Sequence, residues 1–387
     1  LSEPLTHHPS AVRTAPAPAG GAAVRRLDGR MLMHVKKDED APLLGISARS
    51  SGVVFSGAKA ARRREDFRRA SGFAGPCLID PAAYEEETAT AEAPFALSDL
   101  GMFDDGSGLA GEVDWLRRQG ASPVLTPTRY FTATGREPLQ EAARLVDALG
   151  ADDVVFVVPV DAAWLDGGRA DLLAELLRRV RTPKALVLGH SHDPLAKAGR
   201  AAALRRIVTS VPDIAVLRTD LAGFDSAVYG ARYTSIGDRA SVRHTRPPSK
   251  GGGGGAPASP NLLVPALMSY RSGAFMARTL SRVDLPCPCG PCSADTVFGN
   301  GGVRTRRLTD FIATEDTAAA HAHNWATLAR WWSELSAADS PRERAIRWAR
   351  MCHAAVAENE RFNELAGTPG RPFHPSLALK HWAGKLD

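Results

Sequence analysis

No stretch of this 387-residue chain approaches the run of about 18 uninterrupted apolar residues that a membrane-spanning helix needs. The N-terminal segment lacks the basic-then-apolar layout of a secretory signal. Leu1 to Gly21 are instead rich in Pro, Ala and His, and residues 1–26 are expected to form a flexible leader on a cytoplasmic protein. Cysteine is scarce: Cys77, Cys287, Cys289, Cys292 and Cys352 are the full complement, which excludes a disulfide framework. No Gly-x-Gly-x-x-Gly follows an early strand, which argues against an open dinucleotide-binding fold.

The chain does carry a globular composition, 44% apolar and 24% charged. Its formal charge of +5 comes mainly from arginine, with runs at Arg62-Arg63-Arg64, Arg178-Arg179 and Arg304 to Arg307. Such runs are either a solvated surface or a phosphate-binding face, and charge alone does not choose between them.

Short apolar runs alternate with amphipathic stretches. The runs are Val53 to Phe55, Cys77 to Ile79, Val124-Leu125, Val154 to Val160, Ala185 to Leu188, Ile214 to Leu217 and Tyr233 to Ile236. Helical periodicity lies between them at Pro138 to Leu149, Arg169 to Val180 and Ala196 to Val208. Strands spaced by crossover helices imply a parallel sheet, and seven or eight such units over 27–248 imply a (β/α)8 TIM-type barrel. Residues 249–260 hold five consecutive glycines and are expected to be a mobile loop. Residues 261–387 then form a zinc-binding subdomain and a helical region. Thr317 to Asn363 reads as two helices broken near Ala338 to Pro341, with Trp325, Leu328, Trp331, Trp332 and Leu335 on one face as core packing.

Cys287, Cys289 and Cys292 sit within six residues, in a knuckle shaped by Pro286, Pro288, Gly290 and Pro291. Three thiolates so close together suit zinc, which takes four soft or borderline ligands in a tetrahedron. The fourth must come from elsewhere; His321 and His323 open the following helix, and His323 is the candidate.

At the expected C-terminal ends of the strands stand Asp80, Thr126, Thr128, Asp161, His190, Arg218-Thr219-Asp220 and Gly237-Asp238. Barrel enzymes place their chemistry at this rim, although an aspartate after a strand also serves as a helix cap.

Cys-x-Cys-x-x-Cys followed by a distant His323-Asn324 resembles the zinc subdomain of the tRNA-guanine transglycosylases, in feel nearest the archaeosine branch and relatives acting on DNA. The resemblance implies a (β/α)8 barrel and exchange of guanine in DNA or tRNA for a 7-deazaguanine base through an aspartate-linked intermediate. By order of elements it points to Asp238 as nucleophile and Asp80 as the early-strand aspartate. Asp220, which ends the preceding strand, and Asp225, in a Phe-Asp-Ser-Ala stretch, compete for the first role. Asp161 and His190 become base-facing candidates. Arg243, His244, Arg246 and Lys250 become phosphate-facing ones, and the Trp325 to Trp332 helix a homodimer or partner-subunit interface. With no RNA-binding appendage expected after the zinc region, DNA stands level with tRNA as the substrate.

The family's Asp-Ser-Gly-Gly-Phe-Gln motif, its Gly-Leu-Ala-Val-Gly-Glu loop and its mid-barrel Asp-Glu pair are absent. Their absence implies a divergent substrate. It also keeps two further readings open: a catalytically inactive zinc barrel that binds nucleic acid or supports a partner subunit, and a hydrolase of free nucleosides.

Overall fold

The computed structural model describes residues 20–36, 46–97, 108–248, 259–293, 296–297 and 303–384. Eight strands form one sheet: β1 (Arg30–Val35), β2 (Ser51–Ser56), β3 (Cys77–Asp80), β4 (Val124–Leu125), β5 (Val154–Asp161), β6 (Lys184–Gly189), β7 (Ile214–Thr219) and β8 (Tyr233–Gly237). Their order is β3-β2-β1-β8-β7-β6-β5-β4, with parallel pairing throughout. β3 and β4 close the circle without a ladder, beside isolated bridges from Thr88 to Tyr130 and from Phe95 to Thr128. The result is a nearly closed barrel.

Alternation along each strand divides the core in two. Leu32, Val54, Leu78, Leu125, Val155, Val157, Ala185, Val187, Ala215 and Leu217 point inward and fill the barrel. Met31, Met33, Val53, Phe55, Phe156, Val158, Leu186 and Val216 point outward beneath the helices. Each Val, Leu, Met or Phe among them contributes about 1.5–3 kcal/mol of burial free energy.

The outer layer follows the chain. A short α1 (Ala22–Arg25) precedes β1, and α2 (Ala60–Ser71), α3 (Gly108–Arg118), α4 (Arg136–Ala148), α5 (Gly168–Arg179), α6 (Arg200–Ser210) and α7 (Ala222–Val228) lie between later strands. The helices expected from periodicity correspond to α4, α5 and α6, each shifted by a few residues.

The segment after the barrel has its own core, built on Leu262, Val264, Leu267, Met276, Leu308 and Phe311. An antiparallel hairpin, β9 (Asn261–Val264) and β10 (Ser269–Ser272), leads into α8 (Gly273–Thr279) and α9 (Gly290–Ser293). A second hairpin pairs β11 (Thr296–Val297) with β12 (Val303–Arg304). Two long helices follow, α10 (Thr317–Ser336) and α11 (Pro341–Ala366), then α12 (Leu377–Trp382). The break expected near Ala338 to Pro341 has a local cause. Pro341 occupies the first turn of α11, and Ser340 caps it by accepting from the Glu343 N–H at 3.1 Å.

Part of the supposed leader is ordered, because α1 and Leu27 plug the floor of the barrel with Val24 and Leu27, both fully buried; residues 1–19 lie outside the described residues. At the other end of the Gly-rich segment Ser259 is buried, and its hydroxyl accepts from the Ala274 N–H; residues 249–258, with Lys250, lie outside the described residues. The Trp325 to Trp332 face is core: Phe224 of α7 meets Trp331, Trp332 and Trp348, and Trp332 Nε1 donates to the Ser50 carbonyl.

Candidate active site and metal centre

The knuckle forms because two backbone bridges pin it to the strand that follows: Cys287 N–H donates to the Arg306 carbonyl, and Arg306 N–H donates to the Cys292 carbonyl. A turn at Cys289, whose carbonyl accepts from the N–H groups of Cys292 and Ser293, brings Cys289 and Cys292 to the same side. His323 arrives from the first turns of α10. Its Nδ1 lies 3.2, 3.3 and 3.6 Å from the sulfurs of Cys287, Cys289 and Cys292. All four ligand atoms fall within 4.8 Å of one another, so the group could hold a metal ion. The other ring nitrogen, Nε2, donates to the Leu263 carbonyl at 2.7 Å, which fixes the tautomer and turns Nδ1 toward the thiols. Four protein ligands in a largely buried cluster leave no open position for substrate. His321, the alternative ligand, is not part of that cluster and lies in the field of Arg239 and Arg243.

A separate polar cluster occupies the barrel rim at β7 and β8. Gly237 ends β8 where the chain doubles back so tightly that a Cβ there would lie 2.3 Å from the Val242 carbonyl oxygen. Asp238 follows, and its N–H continues the ladder by donating to the His34 carbonyl at 3.1 Å. Its carboxylate is buried; among the described residues neither oxygen makes a hydrogen bond of ordinary length, although the Arg239 backbone N–H stands near enough to favour the ionised form. The nearest cation, Arg239 Nε, is 3.7 Å away. Burial pushes the Asp238 carboxyl up to about 7, against the opposing charge of Arg243. On the adjacent strand Asp220 is raised to about 6 by burial and then by Asp193, although its carboxylate accepts from the Ala222 N–H at 3.0 Å.

Arg243 and Tyr270 complete this cluster. Arg243 reaches back toward the carbonyls of Gly237 and Asp238 at 3.4 and 3.5 Å, and its guanidinium lies 3.2 Å from the centre of the Tyr270 ring. Tyr270 comes from β10, outside the barrel. Burial raises its phenol pKa, and Asp220 and Asp238 add to the rise. The phenolic oxygen is shielded, and Arg243 beside it opposes the rise. His244, beside Arg243, is lowered to about 4 by burial and by Arg218, Arg246 and His190, so it is neutral at physiological pH.

Asp80 belongs to a different network. It accepts from the Tyr84 hydroxyl at 2.5 Å and the Ala82 N–H at 2.9 Å, with His34 Nε2 at 3.4 Å. Burial opposes its ionisation, but His34, Tyr84 and Arg218 more than offset that and hold the Asp80 pKa below its ordinary value. Fully buried Arg218 pairs with Glu85 and donates to the Tyr84 hydroxyl at 3.3 Å and the Ser241 carbonyl at 2.8 Å. Its φ of +57° marks a bulge where β7 slips against β8 between Val216 and Thr219. The extra residue turns Arg218 into the barrel directly after inward-facing Leu217.

The remaining sequence candidates divide. Asp225 is a correction: it sits on α7, outside the barrel, bound by Arg205 at 2.6 and 3.2 Å and by Trp348 Nε1 at 2.9 Å. A helix on the outer face cannot present it at the rim. Asp161 caps the turn after β5, accepting from the Ala163 N–H at 2.8 Å and the Tyr130 hydroxyl at 3.0 Å. His190 accepts through Nδ1 from the His192 N–H at 3.1 Å, so that nitrogen is not offered to a base. Nothing in the sequence singles out Tyr270, whereas Arg218 is legible there as a strand-end residue at the rim.

Fold and site together define a nearly closed (β/α)8 barrel that carries a Cys3His metal-type subdomain and, at the end of its last strand, a buried carboxylate with a 3.7 Å ion-pair contact to Arg239. No protein-family model matches the chain, and comparison with curated proteins finds no match. Among the described residues no helix is long and apolar enough to cross a membrane.

Proposed function

We propose that this chain is a transglycosylase that exchanges guanine in a nucleic acid for a 7-deazaguanine base, with Asp238 as the nucleophile. The observation that carries the reading is the Asp238 carboxylate, buried at the end of β8 with no hydrogen bond of ordinary length to either oxygen among the described residues and only a 3.7 Å ion-pair contact to Arg239. Enzymes leave a buried carboxylate unsatisfied where substrate supplies the missing partner. In its ionised form Asp238 would attack the sugar anomeric carbon as the bond to the departing base breaks. Asp220, raised to about 6, is suited to give a proton to the leaving guanine and to take one back from the incoming base, whose nitrogen then displaces Asp238. Arg239, Arg243, Arg246 and neutral His244 form a cationic and polar fringe suited to phosphates.

The metal in this reading is zinc, held by Cys287, Cys289, Cys292 and His323. It would supply folding energy to the subdomain and take no part in bond making.

A second reading, a silent barrel that binds nucleic acid or supports a partner subunit, draws on Asp80. That carboxylate is fully engaged by Tyr84, Ala82 and His34 and cannot also read a base edge. Trapping separates the two. Incubation with duplex DNA or with tRNA, followed by denaturing electrophoresis, is expected to yield a covalent adduct that Asp238→Asn abolishes. An adduct that survives in Asp238→Asn would overturn the assignment.

A further inference from the structure

The metal centre and the rim cluster are joined by a short path of named contacts. His323 Nε2 donates to the Leu263 carbonyl at 2.7 Å. The next residue on α10, Asn324, accepts from the Leu263 N–H at 2.6 Å and donates to the Asn261 carbonyl at 2.9 Å. Both polar groups of Leu263 are therefore held from α10, and β9 is clamped against the helix that carries the metal ligand. Leu263 pairs across the hairpin with Tyr270. Tyr270 in turn lies against the guanidinium of Arg243, which reaches the carbonyls of Gly237 and Asp238.

From this path we propose that Tyr270 is a positioning residue of the carboxylate site: its ring walls Asp238 off from water, and the metal subdomain holds it in place through the Leu263–Tyr270 pair. The proposal rests on the reading of Asp238 as the reacting carboxylate. One cross-strand pair separates a residue bonded to His323 from the ring that lies against Arg243, the arginine that reaches the Asp238 carbonyl.

The shielding is consistent with the charges around Asp238. Arg243, the Arg239 backbone N–H and Arg63 all favour its ionised form, Tyr270 is a further ionisable neighbour, and burial still pushes the carboxyl up to about 7. Exclusion of water is the largest influence on it. Tyr270 is suited to that role, because the ring supplies bulk and its hydroxyl remains protonated beside two carboxylates.

The test follows the Asp238 carboxyl by 13C NMR titration of aspartate-labelled full-length protein, with the signal assigned by its absence in Asp238→Asn. In the metal-loaded protein, Tyr270→Ala should bring the Asp238 pKa down by about two units as water enters. Tyr270→Phe, which keeps the ring, should leave it near the wild-type value. Removing the metal should increase amide exchange across 261–272 and lower the Asp238 pKa in the same direction. An Asp238 titration unchanged in Tyr270→Ala, or unchanged on metal removal while the hairpin loosens, would overturn the proposal. Circular dichroism separates local opening from global unfolding, and Tyr270→Ala keeps every metal ligand, so it decides the matter even if the stripped protein unfolds. None of these readouts uses base exchange: absent exchange with the titration shifts present would defeat only the functional reading.

Discussion

Tyr84 donates its hydroxyl proton to Asp80 at 2.5 Å, four residues back along the chain and within the barrel mouth. The bond commits the early-strand aspartate to holding the rim together. Tyr84→Phe should cost about 1–3 kcal/mol, because it leaves a buried acceptor short of one donor. The sign of its pH dependence follows from the depressed Asp80 pKa. A carboxyl held below its ordinary value stabilises the fold above that value, and the contribution is lost as pH falls through the folded pKa. Denaturant melts should therefore show the largest gap between wild type and Tyr84→Phe at neutral pH, closing toward strongly acidic pH.

Asp225 should behave as a stability residue. Asp225→Ala removes the buried partner of Arg205 and of the Trp348 indole, at a cost of about 3–5 kcal/mol. Whatever activity the folded fraction has should be retained per folded molecule, as measured by melting and activity on the same sample.

Asp238 should behave in the opposite way. Its folded pKa of about 7 lies above the ordinary 3.8, so the ionised carboxylate burdens the fold. Its favourable contribution is complete below the unfolded value and disappears as pH rises through about 7. Asp238→Asn should consequently be more stable than wild type above neutrality, by on the order of 2–4 kcal/mol, with the difference vanishing at acidic pH. Equal stability of the two proteins at every pH would show that the carboxylate is solvated or paired.

Purified protein should contain about one zinc per chain. Cys287→Ser and His323→Ala should both reduce the metal content, measured by elemental analysis, and lower the melting temperature of the C-terminal region. The His323 variant should also loosen 261–264, because it deletes the donor to Leu263.

The barrel was legible because seven of its strands are β-branched or aliphatic runs separated by helical periodicity. β1 was not, since Arg-Met-Leu-Met-His-Val has little β-branching and carries an inward histidine whose partner, Ser235, comes from a distant strand. The Cys3His cluster was legible because its chemistry is local in sequence, apart from His323. The rim was legible only as a set of strand ends. Which aspartate lacks an ordinary hydrogen bond depends on Tyr84 engaging Asp80, on Arg205 and Trp348 engaging Asp225, and on a bulge at Arg218; these are contacts between distant segments, which no spacing encodes. Tyr270 was invisible for the same reason. Nothing in Ser269 to Ser272 says that the hairpin of the metal subdomain faces Asp238.

The central claim is base exchange through Asp238, and the most direct test is incorporation of labelled guanine into duplex DNA or tRNA by the metal-loaded full-length chain. The account predicts label in one of the two nucleic acids with wild type and none with Asp238→Asn. Label in neither nucleic acid, or equal label with Asp238→Asn, would contradict it.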